Sequence, residues 1–152
     1  MAAHVEVVVA PLGAEDRAGW QRLAEGYKTF YETVVADAGY ERAWQRLQGD
    51  DAVRALGASL DGRLVGIAHY FFHASVWSSN VCHLQDLFVE PDVRGRGIAR
   101  ALISGVADAA RSRGAPRLYW HTRANNTTAR ALYDKVARHD GFIRYDIPLA
   151  EP

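Results

Sequence analysis

The sequence predicts an α+β fold, a mixed α/β arrangement built on a mostly antiparallel central sheet with flanking helices. Three observations carry that expectation. Three strand-like stretches follow one another at residues 52–60, 63–73 and 81–89, the first two joined by the hairpin dipeptide Asp61-Gly62. Helical periodicity fills the chain before them. After them, a glycine turn leads into a helix and then a further strand, a unit that should pair in parallel.

Taken in order, Val5, Val7 and Val9 alternate, so residues 4–10 read as a strand. Trp20, Leu23, Tyr27, Phe30, Tyr31 and Val34 recur at three- and four-residue spacing and predict a helix over 14–36. Gly39 interrupts, and 40–49 reads as a short helix before Gly49-Asp50-Asp51. The three strands of the meander follow, the last stopped by Pro91, which cannot donate a ladder hydrogen bond. Ile98, Leu102, Val106 and Ala109 mark a helix over 97–112, closed by Gly114. Residues 118–121 read as a short strand. Asn126 is placed to cap a helix over 127–138, whose apolar face holds Ala129, Leu132, Tyr133, Val136 and Ala137. A last strand is expected from Phe142 to Leu149.

The 152 residues fit one domain with a proper core, and no linker or repeat divides them. Apolar residues make up 49% and charged residues 24%, the mix of an ordinary soluble globule. No apolar run approaches the ~18 residues of a membrane span. The first residues show no basic region followed by an apolar stretch, so no signal peptide is expected. Cys82 is the only cysteine, which excludes an internal disulfide and a cysteine-based metal cluster, and agrees with a reducing cytoplasm. Net charge is zero, yet residues 1–93 carry 13 acidic and 7 basic side chains, net −6, and residues 94–152 carry 5 and 11, net +6. A basic half suits a polyanionic ligand and an acidic half a cationic one; segregated solvated faces would look the same. The balanced total speaks against general nucleic-acid binding.

The chemistry-bearing segment is Arg94-Gly95-Arg96-Gly97-Ile98-Ala99. It lies between a strand and a helix start, where backbone N–H groups lack intrahelical partners and the dipole is positive. Gly95 and Gly97 let a ligand approach the backbone, and Arg94, Arg96 and Arg100 add charge. Such a turn suits a pyrophosphate. Alone, it also reads as a tight strand-to-helix turn with solvated arginines, and it is neither the Walker pattern nor the dinucleotide fingerprint.

These residues resemble the Arg/Gln-x-x-Gly-x-Gly/Ala signature of the GNAT N-acetyltransferases. Asn126-x-x-Ala129-x-x-Leu132-Tyr133, which begins 32 residues after Arg94, resembles the second motif of that family. Leu84-Gln85-Asp86-Leu87-Phe88-Val89 is similar to the branch holding diamine acetyltransferases and the small fungal histone/polyamine-type enzymes. The resemblance spans nearly the whole chain. It implies a GNAT-type acyl-CoA N-acyltransferase fold in which a parallel strand pair splays apart. It also implies an enzyme that moves an acetyl group from acetyl-CoA directly to a primary amine such as a polyamine, a lysine or a small-molecule amine. A non-catalytic acyl-CoA-binding regulatory module is the alternative.

By the same resemblance, Leu87, Phe88 and Val89 offer backbone groups to the pantetheine arm and the acetyl carbonyl. Residues Gly95, Arg96, Gly97, Ile98, Ala99 and Arg100, with Arg94, hold the pyrophosphate. Asn126, Ala129 and Tyr133 contact the cofactor, and Tyr133 is the general acid that protonates the leaving sulfur, as a phenol with pKa near ~10 can. The diamine branch has Glu where this chain has Gln85, so the base must lie elsewhere. His83 shares the face of Gln85; His121 on the neighbouring strand and a water chain are the other choices. Asp86 is expected on the opposite face. Tyr31 and Glu32, with Tyr27, resemble acceptor-contacting positions, although Tyr27, Tyr31 and Val34 also fit a helical core stripe; Gln85 is a further acceptor candidate, and Trp77 could line the site or simply pack. Cys82 is expected to be a small buried residue, since transfer is direct. No metal, nucleic-acid or membrane partner is expected. Dimers are frequent in such folds, which leaves a homodimer open.

Overall fold

The computed structural model describes residues 6–49 and 53–150. The expected strand starts at residues 4 and 52, and the Asp50-Asp51 turn, lie outside the described residues. The chain falls into two compact units, Met1–His121 and Thr122–Pro152.

In the first unit the elements run β1 (Val7–Pro11), α1 (Arg17–Phe30), α2 (Asp37–Gln48), β2 (Val53–Leu60), β3 (Arg63–His73), β4 (Val81–Val89), α3 (Ile98–Ser112) and β5 (Leu118–Tyr119). The strands form one sheet in the order β1-β2-β3-β4-β5. The first three junctions are antiparallel, and β4–β5 is parallel. The expected mixed sheet is therefore observed. Asp61 and Gly62 both have positive φ, 49° and 80°, the conformation that a two-residue hairpin with the native twist requires.

Two faces of the sheet hold two helical layers. Trp20, Leu23 and Ala24 of α1 and Tyr40 and Trp44 of α2 pack with Leu64, Ile67 and Phe88. On the other face, Ile98, Leu102, Ile103, Val106 and Ala110 form the buried stripe of α3. Gly66 lies under that stripe, where an added Cβ would stand 3.0 Å from Leu102 and 3.2 Å from Ile98. Trp20 is 1% exposed, and burying so large an apolar surface contributes on the order of 3 kcal/mol or more.

The helix expected over 14–36 is shorter. Ala14–Asp16 is a 3₁₀ turn, and α1 ends at Phe30. Glu32 adopts φ 54°, and the Thr33 N–H reaches back to the Lys28 carbonyl at 2.8 Å, closing the helix with a left-handed cap. The β-branched run Thr33-Val34-Val35 then disfavours continuation, and Val34 is fully exposed rather than part of an apolar stripe. Gly39 does not interrupt; α2 begins at Asp37 and takes Gly39 into its first turn.

The second unit contains α4 (Thr127–Val136). The strand expected from Phe142 to Leu149 is not formed: those residues have no regular structure and join no sheet. Phe142, Ile143, Tyr145, Ile147 and Leu149 are all strongly exposed. Apolar alternation specifies a strand only where a neighbouring strand takes up its backbone hydrogen bonds.

Candidate active site

The glycine turn is formed as the sequence suggests. Pro91–Val93 makes a 3₁₀ turn after β4, and Gly97 is the N-cap of α3. Gly95 and Gly97 both have φ +80°, and a Cβ built on either would meet nothing within 4 Å. Any other residue is strained there, and the space above the backbone is open. The first N–H groups of α3, at Ile98, Ala99 and Arg100, have no intrahelical acceptor. Ile98 can offer only its backbone, because its side chain is buried against Gly66. Arg96 and Arg100 are exposed. Arg94 is anchored: its Nε donates to the Val89 carbonyl at 3.0 Å, and its guanidinium lies over the Phe88 ring. These groups fit a pyrophosphate, with backbone donors on one side and guanidinium charge around them.

Directly before this turn, the parallel junction is cut short. Pairing of β4 with β5 covers only Cys82↔Leu118 and His83↔Tyr119. Beyond His83, the β4 edge runs on through Leu87, Phe88 and Val89 with no β5 partner, while its other edge stays paired to β3 at Ala68, Ile67 and Gly66. Backbone groups in an unpaired inner edge are ready to bond an extended ligand arm. The Phe88 side chain is turned away from that task, into the core beside Tyr27 and Gly26.

A bulge in β4 reorganises the residues at this opening. Tyr70 pairs with Leu84, but His69 pairs with Asp86, so Gln85 is the extra residue. His69 and Phe71 share a face of β3, and they meet Asp86 and His83 respectively. His83 and Asp86 therefore stand on the same face. The strict alternation that put Asp86 opposite is corrected by the bulge. Gln85 itself is exposed.

His83 packs against Phe71, Tyr119 and His121, with ring centroids at 5.1, 4.5 and 5.2 Å. Its Nδ1 is shielded from solvent and has no hydrogen-bond partner among the described residues. Burial first, and the neighbouring His121 second, pull its pKa below the ordinary histidine value; a hydrogen bond with the Tyr119 backbone opposes them. The ring is thus held neutral at neutral pH. His121 is exposed, and His73 bonds the Tyr119 hydroxyl at 2.8 Å.

Asp86 and His69 are the site residues that sequence reasoning missed. His69 Nδ1 lies 2.9 Å from the Asp86 carboxylate, and Trp20 Nε1 donates to His69 Nε2 at 2.9 Å. The Tyr27 hydroxyl also bonds Asp86. Burial opposes the Asp86 charge, but the hydrogen bond and the charge of His69, the Tyr27 hydrogen bond and the nearby Lys28 ammonium outweigh it, and the carboxyl falls below its ordinary range. Burial, the Asp86 charge and its hydrogen bond push the Tyr27 phenol well up, so it remains a donor. The signal for this group was the polar pair Gln85-Asp86 inside an apolar strand.

Other expected residues are placed as follows. The Tyr31 ring lies tilted against that of Tyr27, with 4.8 Å between centroids. Glu32 is exposed on the left-handed cap of α1. Trp77 is 94% exposed in the β3–β4 loop, and no ring contact joins it to this cluster among the described residues. Cys82 is fully buried and its thiol is pushed up to about 11 by that burial, so it is no nucleophile at neutral pH. In the second unit, Ala129 and Tyr133 lie one turn apart on α4, both half-buried. Asn126 holds the N-cap position without a side-chain cap; its Nδ2 donates to Thr122 Oγ1 at 3.0 Å instead. Among the described residues no group of His, Cys, Asp and Glu side chains could hold a metal ion, and no helix is long and apolar enough to cross a membrane.

Known proteins share this architecture. Residues 20–137 match the model of the acetyltransferase (GNAT) family. The chain is 32% identical over 144 residues to a D-amino-acid N-acetyltransferase of Saccharomyces cerevisiae, covering 91% of this chain and 89% of that one. It is 28% identical to the thialysine N-epsilon-acetyltransferase of Bos taurus, covering 81% and 72%. The aminoglycoside N-acetyltransferase AAC(6')-Iy, solved in complex with CoA, superposes with a TM-score of 0.86 over 99% of both chains; at 19% identity this likeness concerns the fold alone. The extent of the family match and the yeast relative's coverage make this chain a member of the GNAT acetyltransferase family.

Proposed function

We propose that this acetyltransferase uses acetyl-CoA as donor and transfers the acetyl group directly to a primary amine of a small molecule or peptide, with His83 as general base and Tyr133 as general acid. The observation that carries the proposal is the early end of the β4–β5 ladder at His83↔Tyr119, just before the Gly95–Gly97 turn. An unpaired strand edge and a phosphate-suited helix start follow each other along one chain segment, which suits an extended thioester ending in a pyrophosphate. The resemblance of Asn126 to Tyr133 to the family's second motif supports the roles given to that helix.

The nucleophile must be a neutral amine. His83 stands at the point where the strands separate, its imidazole held neutral by its surroundings. As the amine nitrogen bonds to the thioester carbon, its proton passes to the His83 imidazole, and the carbon–sulfur bond breaks. The departing thiolate takes a proton from the Tyr133 phenol. The lowered pKa of His83 keeps it unprotonated and ready at neutral pH.

Free thiol release from acetyl-CoA against a panel of primary amines tests this reading. Amine-dependent release with a matching N-acetyl product by mass spectrometry is the expected result. Acetyl-CoA binding with no release for any amine would refute it.

A further inference from the structure

The two halves of the proposed donor site are joined by five residues, Glu90 to Arg94. On one side lies the open β4 edge at Leu87, Phe88 and Val89; on the other lies the turn of Gly95 and Gly97 that starts α3. A single ligand gains from both halves only if their separation and angle are fixed before it arrives.

Glu90 ties this joint to the rest of the first unit. Its N–H donates to the Val65 carbonyl at 2.8 Å, one step past the end of the β3–β4 ladder. Its carbonyl accepts from the Val93 N–H at 3.1 Å, which begins the 3₁₀ turn. Its carboxylate receives Arg22 Nη1 from α1 and Arg63 Nη2 from the start of β3 on one oxygen, Oε1, the second at 2.8 Å. Arg22 Nη2 also donates to the Leu64 carbonyl at 2.7 Å. The Glu90 side chain is 14% exposed, against 41% for Arg22 and 65% for Arg63. Its Oε2 is shielded and has no hydrogen-bond partner among the described residues. One carboxylate thus fastens a helix, a strand start and the joint together, while Arg94 Nε braces the joint from beyond it through the Val89 carbonyl.

Charge alone gives no reason to keep a carboxylate here. It stands five residues before Gly95, where it opposes an anion, and shielding it from water costs solvation. A glutamine would remove that repulsion and leave two arginines free to attract phosphate. What the carboxylate adds is a pair of charge-assisted, directional bonds, which hold a backbone more firmly than neutral ones.

We propose that Glu90 is a positioning residue for the donor: clamped by Arg22 and Arg63, it keeps the open β4 edge and the phosphate turn in register, so that one CoA molecule engages both. The inference rests on the acetyl-CoA use proposed above and concerns how the parts of that site are coupled.

Binding tests this without turnover, by calorimetry with CoA and by ligand-observed NMR titration with pantetheine and with ADP. Glu90→Gln keeps the side-chain shape and removes the charge. Its affinity for CoA is expected to fall by about 10-fold, while pantetheine and ADP, each needing one half only, bind as they do to the wild type. The sign is informative, because loss of a negative charge near an anion site would by itself tighten binding. Unchanged or tighter CoA binding overturns the proposal. So does an equal loss for ADP, which would confine the effect of Glu90 to the turn. If Glu90→Gln does not fold, Arg63→Met, at a largely exposed side chain, makes the same comparison with the same deciding outcomes. Where turnover is measured, KM for acetyl-CoA should rise with kcat retained; a fall in kcat at constant KM overturns the positioning role. A wild type that fails to bind CoA overturns this coupling and the proposed donor together. The CoA-specific loss without thiol release for any amine counts against the catalytic reading alone.

Discussion

The indole N–H of Trp20 and Nε2 of His69, 2.9 Å apart, decide where the imidazole proton sits. The bond crosses from α1 to β3 and directs the other ring nitrogen at Asp86. Replacing Trp20 with Phe removes the donor and shrinks a fully buried side chain. We expect Trp20→Phe to lose about 2–4 kcal/mol of stability by denaturant unfolding, from the cavity and the unsatisfied nitrogen together. Nitrogen NMR of His69 should show a single Nδ1–H tautomer in the wild type and a mixture in the variant. A mixture already present in the wild type would show that Trp20 does not set the proton.

Asp86 links this network to acid stability. Its folded pKa lies below the ordinary carboxyl value of about 3.9. The depressed value means the folded state binds fewer protons than the unfolded state across that interval, so stability rises with pH there. The contribution is complete above the unfolded value and disappears as pH falls through the folded one. Urea midpoints measured from pH 6 down to pH 2.5 should therefore drop less steeply in Asp86→Asn than in the wild type. Parallel curves for the two proteins would contradict the assignment.

For His83 the sign is reversed in charge but the vulnerable side is again acid. Burial disfavours its protonated form, so the neutral, proton-accepting form persists below the ordinary histidine value of ~6.5. A kcat/KM profile should decline only beneath that value, with an apparent pKa under it. His83→Gln should lower kcat/KM by roughly 100-fold, the lower end for loss of a general base, and remove that limb. An unchanged profile in His83→Gln would transfer the role to His121 or to water.

Tyr133→Phe probes the other proton. The substitution deletes one oxygen from a half-buried ring on α4 and leaves its packing in place. We expect kcat to fall by about 100-fold or more with KM for acetyl-CoA little changed, since in the proposed role the phenol acts on the departing sulfur rather than on binding. Near-wild-type kcat would remove Tyr133 from the mechanism.

Local chemistry made much of this readable from the residues. Asp61-Gly62 dictated its hairpin, Gly114 closes α3 with φ +73°, and the glycines of the turn occupy the left-handed conformations their position demanded. The Asp86 network was not readable, because a one-residue bulge at Gln85 changes which side chains share a face, and only β3 pairing reveals it. The Trp20–His69 bond was equally hidden, since it joins residues 49 apart in sequence. Tyr31 and Val34 looked helical by spacing, but the left-handed Glu32 ends the helix before Val34 can join the stripe. The alternation from Phe142 to Leu149 is real, yet no ladder receives it, so pattern alone misjudged the segment.

Gly97 offers the sharpest test of the phosphate turn. Its φ of +80° is costly for any residue with a Cβ, by on the order of 1–2 kcal/mol. The space around that Cβ is open, so Gly97→Ala meets no clash and the protein should still fold, with a modestly lower midpoint. A relaxed turn would no longer aim the N–H groups at the start of α3 at a common anion. KM for acetyl-CoA should rise by about 10-fold with kcat largely retained, and the rise should persist at high salt, because backbone donors rather than mobile surface charge are lost. Arg96→Ala, by contrast, removes an exposed charge, so its smaller effect should fade as salt screens it. If Gly97→Ala bound acetyl-CoA like the wild type while Arg96→Ala lost binding at every salt concentration, the guanidinium and not the turn would be holding the phosphate.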